Sequence, residues 1–274
     1  MKRRFLRFGF YCVYYCVSRV FLGLERLICW KEFRFWIDTT PKGIFKGVSF
    51  ENYTAHIHTQ GFFSALFSCY VTGTNLRILD FGCGMAKLAP VCQYWVKENG
   101  KYLGVDTDVK AIEQCRKTYG ILKNCEFYLT ADQNAFYRNP DVVKKETDHV
   151  DWPVGDSTQH LVIANSVFTH LQEGEARKYM RKIHAVLAPG GIAMISFHIV
   201  RDYVNPNPTF NFIHPLTPGW FTSTPNCPET AIGVELATVH DLIREKFTIL
   251  NWLEGHSTGG KSVYFQDLFV LKKT

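Results

Sequence analysis

The sequence lacks the marks of several classes of protein. Its nine cysteines (Cys12, Cys16, Cys29, Cys69, Cys83, Cys92, Cys115, Cys125 and Cys227) include no C-x-x-C pair and have no histidine partner at metal-ligand spacing. An odd number of thiols, lying mostly inside apolar segments, does not build a disulfide scaffold. A reducing compartment, most simply the cytoplasm, is the expectation. No repeat, low-complexity tract or linker interrupts the 274 residues, and at 46% hydrophobic they suffice for one substantial core. No glycine-rich loop ends in the G-K-S/T of a Walker sequence. In the N-terminal end the longest charge-free run, Phe8 to Ser18, has 11 residues and is closed by Arg19. A membrane-spanning helix needs roughly 20 apolar residues. No small-x-small cleavage site follows that run, which speaks against a signal peptide.

Net charge is missing from most of the chain. The formal +6 resides in residues 1–34, where eight basic residues face two acidic ones; the remainder carries 23 of each sign. A neutral body argues against a nucleic-acid partner, which would need a spread basic surface. The basic, aromatic end leaves two readings open. It is either a helix lying at a membrane surface through residues 1–34, a peripheral contact, or a helix packed on the chain's own body or a partner. Residues 1–60 are expected to form this helical extension and residues 61–274 the functional domain.

From Leu76 onward, short β-like runs alternate with amphipathic stretches, the pattern of a parallel sheet covered on both faces by helices. The expected strands are "LRILDF", "YLGVDT", "CEFYLTA", "HLVIANS" and "IAMISFHI". Helices are expected near Lys87 to Lys97, Val109 to Tyr119 and Glu173 to Leu187, the last ended by "PGG". Residues 201–230 hold six prolines and read as a long surface loop, a lid or substrate wall. A helix near Thr238 to Lys246 precedes "FTILNWL" and "SVYFQDLFVLKK", which a short turn should join as an antiparallel hairpin.

The stretch "LRILDFGCGMAKLAP" carries the chemistry. A strand delivers the chain to a tight turn at Gly82 and Gly84, where missing side chains let backbone N–H groups approach a ligand ahead of a helix. Lys87 stands where a dinucleotide fingerprint needs its third glycine for close helix packing, which argues against a nicotinamide oxidoreductase. What remains is Asp80-x-Gly82-x-Gly84-x-Ala86.

That segment resembles the first motif of class I S-adenosylmethionine-dependent methyltransferases, and three further stretches follow in the family's order. The resemblance implies an α/β, Rossmann-like, doubly wound, mostly parallel seven-stranded sheet with a C-terminal antiparallel hairpin, and S-adenosyl-L-methionine as cofactor. Asp106, 24 residues after Gly82, falls where the family's acidic residue accepts both ribose hydroxyls, chemistry apt for a carboxylate. Asp132, in "LTADQN" with Gln133, falls beside the family's adenine position. "HLVIANSVFTHL" resembles the motif beside the transferred methyl group. The resemblance thus implies cofactor contacts at Asp80, Gly82, Cys83, Gly84, Asp106, Thr107, Asp132, Gln133, Asn165 and Ser166. Ala86 replaces a frequent glycine and fits the same turn if its φ stays negative. Gln159-His160 replaces a frequent Phe-Asp, at the strand end far from the ligand crevice.

Methyl transfer from a sulfonium requires alignment and exclusion of water, with a base where the acceptor is a hydroxyl. His170 in "SVFTHL" is the candidate catalytic base; its alternative is a backbone hydrogen bond at a helix start. Ser166 could equally cap that helix, and His198 faces the same crevice or is structural. His56 and His58 share a face if extended, but no third ligand makes them a metal site. Cys83 has no base nearby in sequence, so it fills a turn rather than acting as a nucleophile. The similarity of "SVFTHL" and "FQDLFVLKK" to enzymes of sugar and natural-product pathways implies a small-molecule, sugar or glycan-like acceptor, methylated at oxygen. A non-catalytic cofactor-binding or partner-docking protein on the same fold is the competing reading.

Overall fold

The computed structural model of the chain describes residues 50–130, 152–201, 210–259 and 264–274, the first eight of these by backbone alone. Residues 1–34, Asp132 and Gln133 therefore lie outside the described residues. The chain divides into two compact units, Met1–Thr59 and Gln60–Thr274. Helix α1 (Phe50–Tyr70) runs across that boundary and makes the "NYTAHIHTQG" stretch helical, so the extended face imagined for His56 and His58 does not form. Among the described residues no helix is long and apolar enough to cross a membrane.

Among the described residues ten strands form the sheet: β1 (Arg77–Phe81), β2 (Lys101–Asp106), β3 (Cys125–Leu129), β4 (Gln159–Ala164), β5 (Leu187–Val200), β6 (His214–Thr217), β7 (Trp220–Thr222), β8 (Ile232–Glu235), β9 (Phe247–Leu253) and β10 (Asp267–Lys273). Their order is β3-β2-β1-β4-β5, with β10 and then β9 antiparallel beyond β5. That seven-stranded part is the expected architecture. β1 is buried at four of its five residues because parallel neighbours flank it, β2 on one side and β4 on the other. Its alternating side chains feed two cores. Leu79 and Phe81 join Val105, Met180 and Ile183 in one; Ile78 joins Tyr102, Phe63, Phe67 and Trp95 in the other.

Helices cover these faces for local reasons. In α3 (Val109–Tyr119), Asp108 caps the start by accepting from the N–H groups of Lys110 and Ala111, and Ala111, Ile112 and Cys115 form the buried stripe. In α4 (Glu173–Val186) the buried set Ala176, Tyr179, Met180, Ile183 and Val186 keeps helical spacing, with Glu173 and Glu175 at the electropositive end. The helix expected after β1 is only a single turn, α2 (Ala89–Cys92), with Pro90 at its start. Helix α5 spans Leu236–Ile243, slightly ahead of its expected position.

The proline-rich stretch is not simply a loop. β6, β7 and β8 form an antiparallel run that joins the end of β5 through the parallel pairing of His198–Val200 with Gly233–Glu235. Prolines conceal it because Pro215 lies in β6, the outermost strand, where a missing N–H breaks no ladder. The "PGG" turn is absorbed into β5, which starts at Leu187 and slips register against β4 between Gln159 and Leu161.

Candidate functional site

The glycine turn lies at the carboxyl end of β1, the side on which parallel sheets open their ligand crevice. Gly82 and Gly84 both adopt positive φ, at 68° and 50°. A Cβ on Gly82 would stand 2.4 Å from Val167 Cγ2, whereas one on Gly84 would meet nothing within 4 Å. The first glycine thus lets the end of β4 close against the loop, and the second leaves open space above it. Ala86 also takes positive φ, 51°, against the expectation of a negative value, and its methyl is fully buried. Packing of that methyl holds a conformation alanine rarely adopts.

The loop's N–H groups do not point outward as the sequence suggested. Those of Gly82 and Cys83 are donated to the Val105 carbonyl, at 2.8 and 3.1 Å. That of Gly84 goes to Asp106 Oδ2 at 2.7 Å, while Asp106 Oδ1 accepts from Asp108 N–H at 2.9 Å. Two backbone donors therefore fix the carboxylate of Asp106 at the end of β2, half-buried and beside the space over Gly84. Each oxygen keeps a lone pair for a further donor. Burial raises the Asp106 pKa above its ordinary value, opposed by the backbone N–H groups of Asp108, Gly84 and Thr107 and reinforced by the charge of Asp108. Thr107, next to it, is half-buried.

Beneath the loop, Asp80 is buried and accepts from the Tyr102 hydroxyl at 2.6 Å. Burial lifts its pKa to about 7, with the Tyr102 hydrogen bond opposing and the charge of Asp106 reinforcing. Cys83 is buried between the glycines, and its hydrogen bond with Cys115, together with burial, pushes its thiol well above the usual range. A thiol so protonated is a turn filler and not a nucleophile.

At the next strand end Asn165 accepts a hydrogen bond from the Tyr264 hydroxyl, whose ring stacks on Phe62 at 4.5 Å. Ser166 has φ of 58° and donates its N–H to Ser196 Oγ at 2.7 Å; Ser196 in turn donates to Gln266. Ser166 caps no helix, because the 3-10 turn Phe168–His170 begins after Val167 without a side-chain cap. His170 Nδ1 lies 2.8 Å from the carbonyl of Glu229. A carbonyl only accepts, so Nδ1 carries the proton and Nε2 the lone pair of the neutral ring. Burial lowers the His170 pKa, countered by carbonyls of Glu229 and Thr230. His198, buried on β5, is pushed down to about 3 by burial and by the nearby charge of His170. His198 Nδ1 pairs with Ser257 Oγ at 3.0 Å.

The structure thus brings Gly82, Gly84 and Asp106 together at the ends of β1 and β2, with open space at Gly84, sets Asp80 and Cys83 beneath that turn, and brings Asn165, Ser166 and His170 to the adjoining strand end. The sequence reading missed Glu229, Tyr264, Ser196 and Gln266. The signal for Tyr264 and Gln266 was their place just ahead of the last strand; Glu229 lay hidden among prolines. A groove of about 590 Å³, lined by Arg77, Lys101, Glu126 and Gln159, opens at the opposite strand ends. His160 lies at that end too, accepting Arg77 N–H at 2.9 Å, a structural role.

A sequence family described as a methyltransferase domain matches residues 70–209. Among solved structures the chain is similar to the PH0226 protein from Pyrococcus horikoshii OT3 (18% identity, TM-score 0.55, covering 83% of this chain and 93% of that one). It is also similar to a SAM-dependent methyltransferase from Methanosarcina mazei (16%, 0.54, 76% and 96%). A third is magnesium protoporphyrin IX methyltransferase from Synechocystis PCC 6803 with bound SAH (15%, 0.53, 89% and 95%). At these identities the likeness is one of fold.

Proposed function

The chain belongs to the methyltransferase-domain family, and on that premise we propose that it transfers a methyl group from S-adenosylmethionine to a small-molecule, sugar or glycan-like acceptor at oxygen. The observation that carries this reading is the Asp106 carboxylate, fixed by two N–H donors beside open space at Gly84. A ribose diol offers two donors to a carboxylate with lone pairs to spare, and the absent Cβ of Gly84 leaves room for the cofactor to lie close to the backbone. The donor set therefore fits the cofactor, and the similar Synechocystis magnesium protoporphyrin IX methyltransferase is one solved with bound SAH.

S-adenosylmethionine supplies an electrophilic methyl on a sulfonium when bound. The chain's own residues do the rest. Asp106 would hold the ribose, while Gly82, Cys83 and Thr107 shape the cradle and Asp80 stiffens its base through Tyr102. Asn165 and Ser166, anchored by Tyr264 and Ser196, set the floor between cofactor and acceptor. His170 Nε2 would take the proton from the acceptor hydroxyl and pass it to water. Its lowered pKa keeps it an unprotonated base at neutral pH. Asp132 and Gln133 belong to the same proposal as neighbours of the adenine. The near-equal charges outside residues 1–34 support a small acceptor over a nucleic acid.

Calorimetry and methyl-label transfer test this together. Asp106→Ala should weaken S-adenosylmethionine binding by about 1–3 kcal/mol through lost charge-assisted hydrogen bonds. His170→Ala should leave that affinity intact and slow turnover roughly 100-fold or more. Unchanged cofactor affinity in the first variant rejects the ribose assignment, and full turnover in the second rejects the base.

A further inference from the structure

Ser166, at the exit of β4, holds a conformation that its residue type avoids. Its φ of 58° is a left-handed value that costs energy for any residue but glycine, and neighbours have to enforce it. The enforcing contact is a hydrogen-bond relay across three strands. The parallel ladder between β4 and β5 ends at Ala164 and Ile195, and just beyond it Ser196 Oγ accepts the Ser166 N–H at 2.7 Å. That hydroxyl turns its own hydrogen to Gln266 Oε1, also at 2.7 Å, at the entry to β10. Ser196 is fully buried and Gln266 only 6% exposed, so water is a poor substitute for either partner. Gln266 is itself held in place. Its main-chain carbonyl carbon lies 2.2 Å from where a Cβ on Gly255 would stand, and the carbonyls of Tyr264 and Phe265 accept from the N–H groups of His256 and Ser257 at 3.0 and 2.9 Å. On the other side of the exit, Val167 Cγ2 occupies the room left by the missing side chain of Gly82, 2.4 Å from the position of a Cβ there. The backbone of Ser166 therefore decides where Val167 meets the glycine turn.

We propose that Ser196 and Gln266 are positioning residues for the cofactor, acting through Ser166 and Val167 to hold the glycine turn in its binding geometry before the cofactor arrives. This inference rests on the methyltransferase reading above. Gly84, two residues after Gly82, donates the N–H that fixes Asp106, so a displacement of the turn at Gly82 reaches the carboxylate. The relay has a fixed direction. A main-chain N–H only donates, so the Ser196 hydroxyl has to accept from Ser166 and needs an acceptor for its own hydrogen. The requirement at position 266 is therefore an accepting oxygen. A side chain of the same length without one leaves a buried hydroxyl hydrogen unpaired, and the hydroxyl recovers a partner only by turning away from Ser166. Ser166 then loses what holds it in the left-handed region. A turn that keeps its binding geometry for only a fraction of the time binds with a Kd raised by the inverse of that fraction.

The test uses the full chain and reads two quantities for each variant, the Kd for S-adenosylmethionine by calorimetry and the melting temperature. Gln266→Met, which keeps the length and removes the acceptor, should raise Kd about 10-fold or more. Ser196→Ala, which removes the hydroxyl itself and is a small enough change for the fold to tolerate, should do the same and guards against a folding defect in the first variant. Gln266→Glu restores an accepting oxygen and should return Kd to within about 3-fold of wild type. Leu242→Ala, a cavity in α5 on the core away from the relay, should lower the melting temperature and leave Kd unchanged. Wild-type affinity in both Gln266→Met and Ser196→Ala overturns the proposal. So does a Kd raised equally by Gln266→Glu and Gln266→Met, or one that Leu242→Ala raises as much, since the loss would then follow packing or stability and not the relay. Absence of heat when S-adenosylmethionine is added to wild type would instead overturn the underlying methyltransferase reading, and this inference with it.

Discussion

At the scale of single residues, Asp80 makes the sharpest demand on solution behaviour. Its carboxyl is buried under the glycine loop and hydrogen-bonded to Tyr102, with its pKa raised to about 7 from the 3.8 of an exposed group. Between those values the folded chain holds a proton that the unfolded chain has lost. Stability from this group is therefore complete below pH 4 and is lost as pH rises towards 7. At 1.36 kcal/mol per pH unit the loss is on the order of 4 kcal/mol at most. Asp80→Asn keeps an acceptor for Tyr102 and removes the titration. Cofactor-free unfolding curves from pH 4 to 8 should fall with pH more steeply for wild type than for the variant; parallel curves would show that Asp80 ionises as an exposed carboxylate does.

At the scale of elements, β5 and β10 are joined by more than their ladder. Asp267, fully buried at the start of β10, accepts from both ends of the Arg201 guanidinium, from Thr258 Oγ1 at 3.1 Å, from Trp252 Nε1 at 3.2 Å and from Ile199 N–H at 3.2 Å. Removing one partner of such a pair strands the other charge. Asp267→Ala is expected to lower stability by about 2–4 kcal/mol, since Arg201 retains some access to water. Urea unfolding reads this directly, and a loss below about 1 kcal/mol would mean that the β-ladder alone holds these strands. The turn His256–Thr258 carries Ser257, the partner of His198, so the same network also steadies His198 on β5.

Elements of this kind separate what was legible from what was not. The strands from Leu76 to Val200 could be read because a buried parallel strand is a short apolar run, and Asp106 could be read because it ends one. Glu229, Tyr264 and Asp267 were opaque, since their partners stand 57, 99 and 66 residues away and no local period encodes such a meeting. The strands β6 to β8 were hidden because proline on an outer edge looks the same as proline in a loop. Ala86 misled for another reason: tertiary burial of one methyl outweighed the backbone preference.

At the scale of the molecule, two hydrophobic cores are built among the described residues of 60–274, and the second half of α1 belongs to one of them. Phe63 and Phe67 are fully buried there and Leu66 nearly so, beside Trp95 and Ile78. Phe62 stacks on Tyr264, which holds Asn165 at the site. We propose that the functional domain begins inside α1 and that residues 1–60 are an extension. Deleting residues 1–49 should leave the melting temperature within a few degrees of the full chain and cofactor affinity unchanged. Deleting residues 1–70 removes three core side chains, each worth about 2–5 kcal/mol, a loss comparable with the entire stability of a typical domain of about 5–15 kcal/mol. That shorter chain should show no cooperative melt. If it melts as the full chain does, α1 is an appendage and the ring stack on Tyr264 plays no part in holding Asn165; if the 1–49 deletion abolishes the melt, the domain begins earlier than α1.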